Sequence, residues 1–196
     1  GELEGTPYAE AVKSKNYYFI FIACALLGTL AVYSTHMVGY ADTLGYAGAV
    51  GASLSSVVMI GTLVSKLGLG ALKDKFGAKT VVSVCGVIVS AMMFAVGLAG
   101  GVTAVLYVGS FIVGTGAAIA SLSPAWTTRI AFGSRDYGRI LSNMTMAYTL
   151  FMGLYTGLVG YIYDWTGSYT PAFLASGVCG LIAVILMRAA TAHKEG

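Results

Sequence analysis

Apolar and polar residues fall in long blocks along this chain, not in short amphipathic repeats. Six apolar runs, at about 17–37, 48–72, 79–99, 102–123, 140–163 and 171–187, are separated by short segments that hold nearly all the charge. Each run is long enough to cross roughly 30 Å of hydrocarbon as a helix. The pattern predicts an all-α polytopic membrane protein with six transmembrane helices. Residues 1–16 read as a polar lead-in and 188–196 as a short tail. Gly100-Gly101 makes a tight turn, and Pro171 suits a first helical turn. Pro124 is expected to end or bend run four, because proline lacks the amide donor a helix interior needs. Residues 125–139, with Trp126, Arg129, Arg135, Asp136 and Arg139, read as a longer interfacial loop.

Composition agrees with the block pattern. Of 196 residues, 57% are hydrophobic and only 10% charged, whereas a soluble domain is about a quarter charged. The net charge of +3 is spread over a few loops and forms no basic face for nucleic acid. Cys24, Cys85 and Cys179 each lie in a different apolar run and read as small hydrophobes. Nothing resembles a nucleophile, a metal site or a phosphate loop, so neither an enzyme nor a cofactor is expected.

The cations give the orientation. Lys13, Lys15, Lys73, Lys75, Lys79, Arg129, Arg135, Arg139, Arg188 and Lys194 all lie in the lead-in, loops 2–3 and 4–5, or the tail. The other three loops hold no Lys or Arg. Short-loop cations stay cytoplasmic, which places both termini on that side of a plasma membrane, in keeping with a bacterial inner membrane.

A repeat adds the next inference. Gly70-x3-Asp74-x2-Gly77 recurs 90 residues later as Gly160-x3-Asp164-x2-Gly167. The first copy follows run two and the second follows run five, on opposite sides of the membrane. Runs 1–3 and 4–6 therefore read as two three-helix units of opposite orientation, an arrangement typical of secondary transporters.

The segment Gly70 to Lys79 also resembles the loop signature of the major facilitator superfamily, roughly G-x-L-x-D-[RK]-x-G-[RK]-[RK]. Gly70, Leu72, Asp74, Lys75, Gly77 and Lys79 match, and Ala78 stands where the family usually has a cation. The lead-in ending Ala9 to Lys15 resembles the end of that family's central loop. Phe132 to Gly138 and Gly160 to Tyr169 resemble the last quarter of bacterial members. The resemblance implies half of a major facilitator fold, the C-terminal six-helix lobe, partnered by an N-terminal six-helix lobe. The chain does not begin with Met, and the expectation is a fragment with six further apolar runs upstream. The nearest flavour is the oxalate/formate antiporter or monocarboxylate transporter type. Lys66, eight residues before Asp74, matches the cation that meets the substrate carboxylate there. Run five has no lysine where the oxalate/formate type carries one, which argues against a dicarboxylate.

Several side chains are candidates for the transport path. Lys66 is the one clear intramembrane charge and ends a stripe of Ser55, Met59 and Thr62 at helical spacing. An ionisable group within a span is a functional hypothesis by default. Snorkelling and a structural ion pair are the alternatives, since Lys66 lies only about 9 Å from the end of its run. Tyr33 and His36 on run one, Tyr107 on run four, and Tyr148 and Tyr155 on run five extend a polar face. Each tyrosine reads equally as a helix-packing residue, and His36 as an interfacial one. Gly70, Asp74, Lys75, Gly77, Lys79 and Asp164 are expected to form gating loops, with Asp74 bonded to nearby backbone amides. Gly153-x3-Gly157 is expected to let helix backbones approach closely. Runs three and six hold few large polar groups and read as outer supports.

The function these readings favour is one lobe of a secondary active transporter. It would move a small organic anion, a carboxylate, across the bilayer by alternating access, as antiport or symport. The alternatives are a non-transporting or channel-like six-helix scaffold, and a half-size subunit that dimerises.

Overall fold

The computed structural model describes residues 4–192, so the expected tail cation Lys194 lies outside the described residues. The described chain folds into helices α1 (Tyr8–Ala11), α2 (Lys15–Leu27), α3 (Tyr33–Thr43), α4 (Gly48–Phe76), α5 (Ala78–Ala99), α6 (Thr103–Phe132), α7 (Tyr137–Thr166) and α8 (Thr170–Ala190), with a 3-10 turn at Gly28–Ala31. Helices α4, α5, α6 and α8 are long and apolar enough to cross a membrane, and the bent α2–α3 pair makes a fifth candidate span. At 30 residues α7 is as long as α6, but it carries more Tyr and falls outside that apolar set.

The helices outrun the apolar runs. Helix α4 continues through the charged segment to Phe76, so a single residue, Gly77, separates it from α5. Helix α6 runs straight through Pro124 to Phe132, which corrects the expected loop at 125–139 to a link of four residues, 133–136. An interior proline costs about 3 kcal/mol. Here Pro124, Thr127, Thr128, Ala131 and Phe132 are all buried, and that packing offsets the lost bond.

Run one is not a straight rod. A bend of 42° at Val32, just after the 3-10 turn, separates Lys15–Ala31 from α3. The turn falls where Gly28 meets α7 so closely that a β-carbon there would lie 2.8 Å from the Tyr148 carbonyl oxygen. The Thr29 hydroxyl donates to the Leu26 carbonyl at 2.8 Å and occupies an acceptor of the bend.

One core joins the helices. Tyr33 is fully buried and stacks on Phe173 of α8 at 4.2 Å between ring centroids. Leu27, Leu30, Met37, Met93 and Phe173 pack in the same cluster. The lead-in docks on the α6–α7 link rather than standing free. Ser134 and Arg135 amides donate to the Glu4 carbonyl at 2.8 and 3.2 Å, and the Tyr8 amide donates to Asp136 Oδ2 at 2.9 Å. Asp136 holds a left-handed backbone (φ 51°) at the start of α7.

Candidate functional site

The predicted site residues divide between two polar seams and an exposed helix face. The first seam is the α4–α6 crossing. Gly61 and Gly114 face the opposite backbone so tightly that a β-carbon would overlap the Phe111 and Val58 carbonyl oxygens respectively. Such contact between small residues is how apolar helices pack where no hydrophobic drive separates them from lipid. Polar rungs flank the glycines. The Ser53 and Tyr107 hydroxyls are 2.6 Å apart, the Thr62 hydroxyl is 3.0 Å from the Gly114 carbonyl, and Ser65 pairs with Thr115 at 2.7 Å. Thr62 and Tyr107 therefore sit on one seam. The sequence offered no signal that Ser53, Ser65 and Thr115 would complete it.

The second seam joins α3, α7 and α8. Tyr33 and Tyr155 both donate to the Ala172 carbonyl at 2.7 Å, and Ser176 lies 2.5 Å from the Tyr33 hydroxyl and 3.1 Å from that of Tyr155. Both tyrosines are buried, at 0% and 5% exposure, so they are committed to helix packing. Ser176 lies on run six, read as an outer support, and it closes this network. His36 is half-buried beside Tyr169, 5.9 Å between ring centroids, and its Nε2 is buried without a hydrogen-bond partner among the described residues. Tyr148 is half-buried on the α7 face near Gly28.

Lys66 belongs to neither seam. It is exposed one turn beyond Thr62, flanked by Met59, Leu63 and Leu67, which are 66%, 63% and 75% exposed. Among the described residues no hydrogen bond, ion pair or ring contact involves it.

The two copies of the repeated pattern are helix ends. In each, the last glycine caps the preceding helix with a positive φ, and its amide donates to the carbonyl four residues back. Gly77 (φ 81°) donates to Lys73 at 2.8 Å, and Gly167 (φ 68°) donates to Tyr163 at 2.7 Å. A β-carbon is strained in this region, which is why glycine recurs at helix C-termini. Asp74 and Asp164 thus sit in the last turns of α4 and α7, not in loops. Among the described residues Asp74 makes none of the expected backbone hydrogen bonds, and its side chain, 77% exposed, has one ion pair, 3.6 Å from Lys73. Lys75 lies over Phe76, Gly70 is half-buried, and Lys79 reaches across to the Thr191 carbonyl at 2.9 Å. Beside Asp164, burial pushes the Tyr169 phenol above its ordinary pKa, and the neighbouring Tyr163 and Asp164 add to the shift.

The close approach expected at Gly153 and Gly157 is not seen, as neither has an atom within 4 Å of a β-carbon position, whereas Gly28, Gly61 and Gly114 do make close contacts. The Gly-x3-Gly face of α7 is open, with no described helix packed on it.

Comparison with known proteins defines the class. The sequence profile of the Major Facilitator Superfamily matches residues 17–195. The chain belongs to that family, whose members are membrane transporters and not enzymes. Among solved structures the fold is similar to the E. coli fucose:proton symporter FucP in a variant form, with TM-score 0.73 and 14% identity over 93% of this chain and 44% of that one. A second structure, FucP in the outward conformation, gives TM-score 0.70 and 16% identity over 93% of this chain and 45% of that one. The chain thus spans less than half the length of the structures it matches. Comparison with curated proteins finds no match.

Proposed function

We propose that this chain is one six-helix lobe of a secondary active transporter that moves a small organic carboxylate by alternating access against a second lobe. In this reading α2–α5 and α6–α8 form the two inverted units, with the α2–α3 pair as one bent span. Both termini are cytoplasmic in the plasma membrane. Support comes from the shared glycine, acid and glycine spacing at the ends of α4 and α7, with lysines around the first helix end and aromatics around the second. The open face of α7, where Leu150, Leu154 and Leu158 are 61%, 64% and 48% exposed beside Gly153 and Gly157, is surface the second lobe would cover.

The observation that carries the carboxylate assignment is Lys66. It is a cation with no described partner on a helix apolar enough to span a membrane. An ammonium there is costly unless water or an anion meets it. A carboxylate relieves that cost and remains releasable, because the bond is broken when the cavity rehydrates. Asp74 acts in the gate and not on substrate, consistent with its exposed position in the last turn of α4.

The test is uptake into proteoliposomes containing the complete transporter, using labelled monocarboxylates with a neutral sugar as competitor. Lys66→Gln should lower carboxylate affinity by about 1.5–3 kcal/mol, the scale of a charge-assisted hydrogen bond. Lys66→Arg should keep part of it, since the charge remains while the geometry changes. Unchanged carboxylate affinity in Lys66→Gln, or uptake of the sugar alone, contradicts the assignment.

A further inference from the structure

At the end of the bundle where α4 and α6 finish and α5 begins, an open cavity of about 600 Å³ is walled by Lys73, Lys75 and Arg129, with Asp74 and Trp126 among them. Three cations share this wall with one acid. Lys73 lies 3.6 Å from Asp74 and 5.7 Å from the Trp126 ring centroid, so the one acid of the wall is paired with Lys73, while Lys75 lies 5.3 Å from the Phe76 ring centroid. Lys75 and Arg129 have no carboxylate partner among the described residues. A second cavity of about 290 Å³ lies next to it between α4 and α5, lined by Leu72, Phe76, Thr80, Val81, Val84 and Cys85 and almost free of polar surface. Phe76, 53% exposed, lines both.

We infer that the two cavities together hold one anionic phospholipid, its phosphate at Lys75 and Arg129 and an acyl chain in the α4–α5 groove. The argument is one of charge complementarity and level. Both groove helices are apolar enough to cross the membrane, so the groove runs beside lipid tails. The basic cavity sits at their ends, where hydrocarbon gives way to headgroups and where tryptophan and basic residues favour the interface. A free anion would use the basic cavity alone and leave the groove without an occupant. A zwitterionic lipid would fill the groove and bring no net charge to the cations. An anionic phospholipid uses both.

Native mass spectrometry of the detergent-purified membrane protein tests this, with phosphatidylglycerol, phosphatidylcholine of the same chains, and inorganic phosphate as probes. Wild type should retain phosphatidylglycerol in preference to phosphatidylcholine. Each cation near an anionic lipid is worth about fivefold, so Lys75→Gln with Arg129→Gln should cut phosphatidylglycerol retention by on the order of 20-fold and leave phosphatidylcholine unchanged. Val84→Trp fills the groove from a half-exposed position and should lower phosphatidylglycerol retention severalfold without affecting inorganic phosphate. Equal retention of the two lipids by wild type, or phosphatidylglycerol retention unmoved by the charge variant, overturns the inference. Phosphate bound equally well in all variants, with no lipid preference, replaces it with a free-anion site.

Discussion

The ends of α4 and α7 are built on the same residues and do different things. Both carry glycine, acid and glycine at identical spacing, and both close with a positive-φ glycine bonded four residues back. They part at the next dihedral. Gly77 has ψ 147°, and the chain enters α5 at once, with the same residue flanking both helices. Gly167 has ψ 13°, a left-handed cap, and two further residues precede α8. The surroundings differ as well. Lys73, Lys75 and Arg129 wall the first end. At the second, Tyr163 stacks on Tyr169 at 4.5 Å and Tyr161 lies 5.6 Å from Trp165. One capping device thus serves both ends, once in a basic setting and once in an aromatic one, and Gly133 (φ 75°), bonded to the Arg129 carbonyl, ends α6 in the same way. A positive-φ glycine stops each helix, and the flanking residues specify what that end meets.

The largest effect should separate the two caps. The backbone of Gly77 lies close to a region that side-chain-bearing residues scarcely occupy, whereas that of Gly167 is one asparagine tolerates. Gly77→Asn should cost about 2 kcal/mol and Gly167→Asn less than about 0.5 kcal/mol, read as shifts in the unfolding midpoint of the purified protein. Equal shifts would break the comparison.

A smaller effect concerns the basic end. Trp126→Leu keeps an apolar side chain and removes the face under Lys73, so it should cost about 0.5–1 kcal/mol, the worth of an exposed cation–π contact. Tyr161→Leu at the aromatic end removes a ring pair with no cation and should not respond to salt, whereas the Trp126 effect should shrink at high ionic strength.

The smallest stability effect belongs to the acids. Asp74 forms only a surface ion pair, so Asp74→Asn should change stability by less than about 0.5 kcal/mol. Under the gating reading it should nonetheless slow transport turnover while leaving substrate affinity in place. A large affinity loss at unchanged turnover would move Asp74 from the gate to the substrate.

These details mark what sequence can carry. Helix identity was legible, because apolar runs leave local signatures. The repeated glycines read as loop residues, although Gly77 and Gly167 cap helices. Helix extents were not legible. Pro124 signals a break, yet α6 continues because residues on both sides of it are buried, and burial is a tertiary fact. The close approach of Gly28 to α7 shows only once the helices are packed. The site candidates suffered similarly. Tyr33 and Tyr155 occupy polar positions at helical spacing, but their hydroxyls meet the Ala172 carbonyl in the core. Only the packed helices reveal that Ser176 completes their network. Lys66 was legible as an anomaly in an apolar run, and it stands exposed as such a residue would for either a ligand or snorkelling.

The central claim is that the two glycine-capped ends lie on opposite faces of the membrane, as an inverted repeat requires. Its most direct measurement is labelling by an impermeant maleimide in sealed vesicles of known orientation, with Cys24, Cys85 and Cys179 replaced by alanine. Lys75→Cys should react only from the cytoplasmic side and Trp165→Cys only from the other. Labelling of both from the same face would contradict the inverted repeat and the transporter lobe built on it.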